Sequence, residues 1–180
     1  MRCSDPLMSA TINWPLAISY FLHALATITW LGGLLLMVIV VWPSARTRLE
    51  SQVADGALLT FLDQMRKRFT PLANLSLIVL IVTGLIQMEV NPHYDGLLQL
   101  NSDWARAIFA KHVIILAMMG AAAWMQWRIT PALERAALFV QRGKDAPELP
   151  LLQRREQQLV TLNLILGVIV LFFTALAISV

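Results

Sequence analysis

Six strongly polar or ionisable side chains stand inside long apolar stretches of this chain: His23, Asn74, Gln87, Lys111, His112 and Asn163. A charged side chain at the centre of a bilayer costs about 2.5–3.5 kcal/mol or more unless it finds a partner. Their presence therefore calls for a reason. Two of the six carry imidazole, and neutral imidazole ligates both copper and haem iron. Cys3 is the only cysteine, so no internal disulfide and no Cys-based metal cluster can form. Metal chemistry would rest on His, Met and carboxylates, and the eight methionines either offer soft sulfur to Cu(I) or fill gaps between helices.

The elements that must position these residues are set by composition. Of 180 residues, 58% are hydrophobic and 14% charged, against roughly 45–50% apolar in soluble domains. The apolar residues form four blocks, about 14–42, 71–90, 104–127 and 159–180. Each can cross a hydrocarbon core about 30 Å thick, which takes about 20 helical residues. The expected fold is all-α: one integral-membrane domain, residues 1–180, built as an up-down-up-down four-helix bundle. The first block is about 44 Å long as a helix, too long for the apolar part of a cleaved signal peptide, and reads as a retained span. Thr70 before Pro71 reads as the start of the second span, Asn101-Ser102-Asp103 offers capping oxygens to the third, and Pro131 reads as its stop. The stretch 45–69 is either an amphipathic helix along the membrane surface or a solvated helical connector, and 143–150 reads as a flexible loop.

Basic residues set the orientation, because cytoplasmic loops collect Lys and Arg. Connector 43–70 carries Arg46, Arg48, Arg66, Lys67 and Arg68; connector 128–158 carries Arg128, Arg135, Arg142, Lys144, Arg154 and Arg155; connector 91–103 carries none. The two basic connectors are expected in the cytoplasm, with both termini and the 91–103 loop facing the periplasm or exterior. The same distribution accounts for the net charge of +3 without nucleic acid.

His23 lies nine residues from Trp14 and His112 eight from Trp104, depths of roughly 14 Å and 12 Å from the outer face. Spans one and three would run parallel and could lie diagonally across the bundle, leaving space between the rings for a metal ion or a flat macrocycle. His23 shares its face with Tyr20, Thr27, Trp30, Leu34 and Met37, and His112 with Leu116, Met119 and Ala123. Such faces suit an apolar cofactor, with Trp30 among its contacts, and equally suit a packed core. Lys111 either snorkels to the outer headgroups or neutralises a haem propionate or Glu89. Asn163, Gly167 and Thr174 form a small, polar stripe expected to face the bundle. His93 and Asp95 lie in the outer turn, as solvated turn residues or as a reception point for a metal ion. Two intramembrane histidines allow at most one bis-His haem. No Gly-rich phosphate loop, Ser/His/Asp set, paired intramembrane carboxylates or Cys-X-X-Cys occurs, so no catalytic residue is assigned.

The stretch Phe21-Leu22-His23-Ala24-Leu25-Ala26-Thr27-Ile28-Thr29-Trp30-Leu31-Gly32-Gly33 resembles the first-helix signature of the copper resistance protein D (CopD) membrane domain, a His followed by Trp-x-Gly-Gly. Further similarity runs from Arg68-Phe69 to Val82-Thr83-Gly84, and from Ala110-Lys111-His112 through Arg128 to Pro131, so that residues 17–178 are covered. The resemblance implies an inner-membrane protein of copper uptake or homeostasis, with His23 and then His112 as the residues to carry over. The first-helix His before Trp and Gly is also similar to protoporphyrinogen oxidases of the HemJ type, which bind b-type haem.

The sequence thus points to a CopD-like membrane protein holding copper or one b-type haem between His23 and His112. If redox active, it would be a single-haem cytochrome or a haem-dependent oxidase. Its expected contacts are the bilayer, other membrane subunits, and a periplasmic copper or electron carrier. The contrasting expectation is a non-catalytic accessory subunit whose polar residues only pack helices. Orientation has a direct test: in a Cys3→Ser background, Asp95→Cys should react with an impermeant maleimide from outside, and Arg142→Cys only after the membrane is opened.

Overall fold

The computed structural model describes residues 12–43, 56–92, 94, 96 and 101–179, with side chains from residue 60 onward in the second helix. Cys3, His93, Asp95 and the 45–55 part of the expected amphipathic stretch lie outside the described residues. Helix α1, Trp14–Leu36, starts at Asn13, whose Oδ1 accepts the Leu16 N–H at 3.3 Å, and carries Pro15 in its first turn. It passes without a break into a π-helical turn, Met37–Val41. Helix α2 is Gly56–Glu89. Helix α3, Asp103–Trp124, is capped by Ser102, whose Oγ accepts the Ala105 N–H at 3.1 Å. A second π-helical turn, Met125–Ile129, leads into α4, Thr130–Gln141, and α5, Leu149–Ser179, closes the described chain. Among the described residues there is no strand. Four helical stretches are long and apolar enough to cross a membrane: Trp14–Val41, Thr60–Glu89, Asp103–Gln141 and Leu149–Ser179.

Two prolines do not act as expected. Thr70 caps nothing: Pro71 lies inside α2, which starts well before it. A proline within a helix removes one hydrogen bond and crowds the carbonyl four residues back, yet the helix continues because its first part is anchored elsewhere. Arg66 donates from Nε to Glu156 Oε1 at 2.7 Å and from a terminal nitrogen to Oε2 at 3.1 Å, tying α2 to α5. Lys67 Nζ pairs with Asp63 at 2.7 Å. What reads in sequence as a surface connector is thus, over 56–69, a straight continuation of the second span. Pro131 likewise does not stop the third span. The π turn closes with the Thr130 N–H bonded to the Met125 carbonyl, so the proline falls in the first turn of α4, where a missing N–H is tolerated. α5 also begins ten residues earlier than the expected fourth span, and Gly143, at φ 69°, makes the left-handed turn before it.

Packing is sparse, with polar residues among the buried ones and large apolar side chains outside. Among the described residues sixteen are buried, five of them polar: Ser19, Ser76, Thr83, Glu156 and Asn163, whereas Phe21, Ile28, Phe172 and Ile178 are all more than 60% exposed. That inversion is what a hydrocarbon surround demands, since lipid gives apolar side chains no reason to turn inward. Small residues permit the close approaches: a Cβ on Gly33 would overlap the Phe69 ring, and one on Gly167 would meet Leu31 Cδ1 at 2.7 Å, Trp30 Cζ3 at 3.4 Å and Met118 Cε at 3.7 Å. Gly167 on α5 is therefore the point at which α1 and α3 converge. Met88, Trp104 and Ala177 join α2, α3 and α5 in a second cluster, with Tyr94 and Ile108 against it.

Glu156 is 7% exposed, so removing one member of its pair strands a buried charge. Glu156→Ala should destabilise the protein by about 3–5 kcal/mol, whereas the double change Arg66→Met with Glu156→Leu should recover most of that. Thermal unfolding in a fixed detergent measures both.

Candidate functional site

His23 is held from across the α1–α2 seam. Its Nδ1 lies 2.8 Å from Thr83 Oγ1, and that hydroxyl lies 2.6 Å from the Val79 carbonyl oxygen, one turn back on α2. A threonine hydroxyl has one proton. The carbonyl can only accept, so the Thr83 proton goes to Val79 and the imidazole Nδ1–H donates to Thr83. In the neutral ring Nε2 then keeps its lone pair. Ser19 Oγ donates to the Thr83 carbonyl at 3.4 Å, and Gln87 Nε2 donates to the Ser19 carbonyl at 3.2 Å. The pairs 19 with 87, 23 with 83 and 33 with 69 set α1 against α2 in opposite directions.

His112 reaches the same chemical state by a local route. Its Nδ1 lies 2.7 Å from the Ile108 carbonyl oxygen, one turn earlier on α3. A carbonyl only accepts, so Nδ1 carries the proton and Nε2 is again the bare nitrogen. Both rings therefore present the same atom, in the tautomer that a metal-binding histidine adopts when its other nitrogen is fixed by an acceptor. Both are half-buried.

The levels of the two rings can be compared from Gly167, where Trp30 and Met118 meet. His23 is seven residues before Trp30 and His112 six before Met118, displacements of roughly 10 Å and 9 Å along their helices. His23 lies on nearly the same face as Trp30, and His112 about 120° round from Met118. No hydrogen bond joins the two rings; each has its own acceptor. Trp30 is seated against Gly167 of α5 rather than beside His23. Lys111 is half-buried. Among the described residues it makes no hydrogen bond or ion pair, and Glu89 is exposed. Tyr20, expected on the His23 face, is 54% exposed and turns outward.

Several residues went unnoticed in the sequence. Ser19 and Thr83 are small hydroxyl residues of a kind that often bonds only to its own helix; only the facing helix shows that they orient a histidine. Gln126 forms a reciprocal amide pair with Asn74, at 2.7 Å and 3.3 Å, tying α2 to the second π turn. Arg66 and Glu156, both placed in connectors by sequence, are an interhelical pair. Asn163 is 2% exposed and its Oδ1 has no hydrogen-bond partner. Among the described residues no group of three or more His, Cys, Asp or Glu could hold a metal ion. Any metal held by the histidines would thus need further ligands of another kind, such as sulfur, carbonyl or water.

Residues 63–177 match the family model of copper resistance protein D. The chain belongs to the CopD family. No curated protein and no solved structure matches it. The match takes in Thr83, Lys111 and His112 and begins after the first helix, so the His23 to Gly33 signature lies outside it. With four apolar helices, this CopD chain is a multi-pass membrane protein in contact with lipid.

The tautomer assignment for His23 depends on the Thr83 hydroxyl. In protein with 15N-labelled histidine, the His23 Nδ1 resonance should be that of a protonated nitrogen and Nε2 that of a bare one. Thr83→Val should mix the two tautomers, and Thr83→Ser should preserve the single state.

Proposed function

We propose that this CopD chain handles copper in the bacterial inner membrane, taking the ion through the bare Nε2 atoms of His23 and His112. The observation that carries the reading is the shared protonation pattern: each Nδ1–H is spent on an internal acceptor, Thr83 Oγ1 or the Ile108 carbonyl, and each Nε2 lone pair is left for a ligand. Imidazole nitrogen suits copper, and a second partner on Nδ1 fixes ring orientation and raises ligand basicity. The similar level of the two rings, measured from Gly167, supports a common ligand, and family membership supports copper as its identity. Trp30 would act at a distance, by seating α1 on α5. The positive connectors support a topology with both termini outside, so the histidine level would face the periplasm, where a copper carrier or another membrane subunit would deliver or collect the ion.

The test is copper content. Purified chain loaded with Cu(I) under reductant should retain copper, and His23→Ala and His112→Ala should each retain measurably less of it, with the nitrogen scattering of the copper X-ray absorption spectrum reduced. Unchanged occupancy in both variants would overturn the ligand assignment. A Soret band in the protein as isolated, absent from both variants, would transfer the same two nitrogens to a haem iron.

A further inference from the structure

At the opposite end of the bundle from the histidines, a cavity of about 90 Å³ lies between the end of α1 and its π turn, α2, the second π turn, α4 and α5, lined among others by Met37, Trp42, Asp63, Met65 and Met125. A water molecule needs only about 10–15 Å³ by this measure, so there is room for an ion and solvent. Three features of its wall go together. Three methionines line it from three different spans: Met37 from the first, Met65 from the second and Met125 from the third. Met37 opens the π-helical turn Met37–Val41, and Met125 opens the π-helical turn Met125–Ile129. π-helical turns are rare and frequently mark functional sites; both of those described in this chain border the same cavity and each begins with a methionine that lines it. The polar groups there are also incompletely paired. Asp63 Oδ1 and Trp42 Nε1 are buried without a hydrogen-bond partner, although Asp63 Oδ2 holds Lys67 at 2.7 Å and the Arg66 guanidinium stands 3.8 Å from Oδ1. Arg66 itself is neutralised by its two bonds to Glu156.

We infer that Met37, Met65 and Met125 form a thioether site for a soft monovalent cation, Cu(I), at the end of the bundle opposite His23 and His112. Thioether sulfur is a soft ligand that selects Cu(I) over harder ions. A neutral trio of sulfurs adds no charge to the interior, and Asp63 Oδ1, buried without a hydrogen-bond donor, adds an oxygen acceptor to the same wall, its charge balanced by Lys67 and Arg66. Each π turn begins at a methionine of the trio, so the extra residue it inserts shifts the helical register from the cavity wall onward. The choice of copper among soft cations rests on the reading above, but the sulfur site itself does not. With it, the chain holds one copper station of nitrogen and one of sulfur, separated along the bundle.

The test uses the full chain in nanodiscs, Cu(I) held under reductant, and a chromogenic Cu(I) chelator as competitor. Met to Leu conserves volume and is well tolerated in packed interiors, so Met37→Leu/Met65→Leu/Met125→Leu is the main variant, with single Met65→Leu and Met125→Leu as safeguards for folding. Cu(I) affinity should fall by about 10–100-fold or more, the range that even outer partners of a metal site carry. Sulfur scattering in the copper X-ray absorption spectrum should disappear in the triple variant and weaken in the single ones. His23→Ala/His112→Ala should keep that sulfur signal. Sulfur scattering absent from the wild type, or affinity unchanged in every folded methionine variant, would overturn the thioether site and show that these side chains only fill space. Copper retention unaffected by the double histidine variant would instead strike the nitrogen site and leave the sulfur site standing.

Discussion

Hydrocarbon offers no hydrogen-bond partner, so every polar group carried into it must be satisfied by another part of the same bundle. In this protein the demand is met most consequentially by one hydroxyl. Thr83 gives its proton to its own helix and receives one from His23 on the neighbouring helix. The neighbouring contacts, Ser19 to the Thr83 carbonyl and Gln87 to the Ser19 carbonyl, continue the pairing one turn toward the N-terminal end of α1. Together they choose the register of α1 on α2, and register decides which face of each helix is left for lipid. They also decide the tautomer of the histidine. Helix packing and the chemistry of the ring are therefore one arrangement of hydrogen bonds.

The rest of the bundle follows from how closely backbones can approach. Gly33 admits the Phe69 ring and Gly167 admits Leu31, Trp30 and Met118. In lipid, apolar burial does not draw helices together, so contact at small residues and interhelical polar pairs must do so. The glycines act by removing bulk; the amide pair Asn74–Gln126 and the ion pair Arg66–Glu156 act by direction. The two ends of the bundle consequently differ in kind. One is a hydrogen-bonded histidine level beside a cluster of Met88, Trp104 and Ala177. The other is a cavity between π turns with a salt bridge in its wall.

The four apolar blocks were plain from composition because hydrophobic length alone determines whether a segment can span. The polar residues inside them were plain for the converse reason, as they break an apolar run. Their partners were not. Ser19 and Thr83 cost little in a membrane helix and raise no signal, and Arg66 and Glu156 belong to long charged stretches where a buried pair looks like any solvated charge. Helix ends were the other weakness. Pro71 and Pro131 carry the ordinary marks of boundaries, but one is held within a helix by tertiary ties and the other is accommodated by a π turn. Local rules describe what a proline prefers, and tertiary contacts can supply the energy to override it.

By itself, the sequence determined that this chain is helical, that four segments enter the membrane, and that two imidazoles enter with them, since each of these depends on side-chain solubility summed over a local window. Only the tertiary structure decided which nitrogen of His23 is bare, that α1 and α3 meet over Gly167, and that methionines from three spans line one cavity. These depend on which atom faces which across a helix seam, and residues some sixty positions apart, such as His23 and Thr83, acquire that relation only when the helices pack.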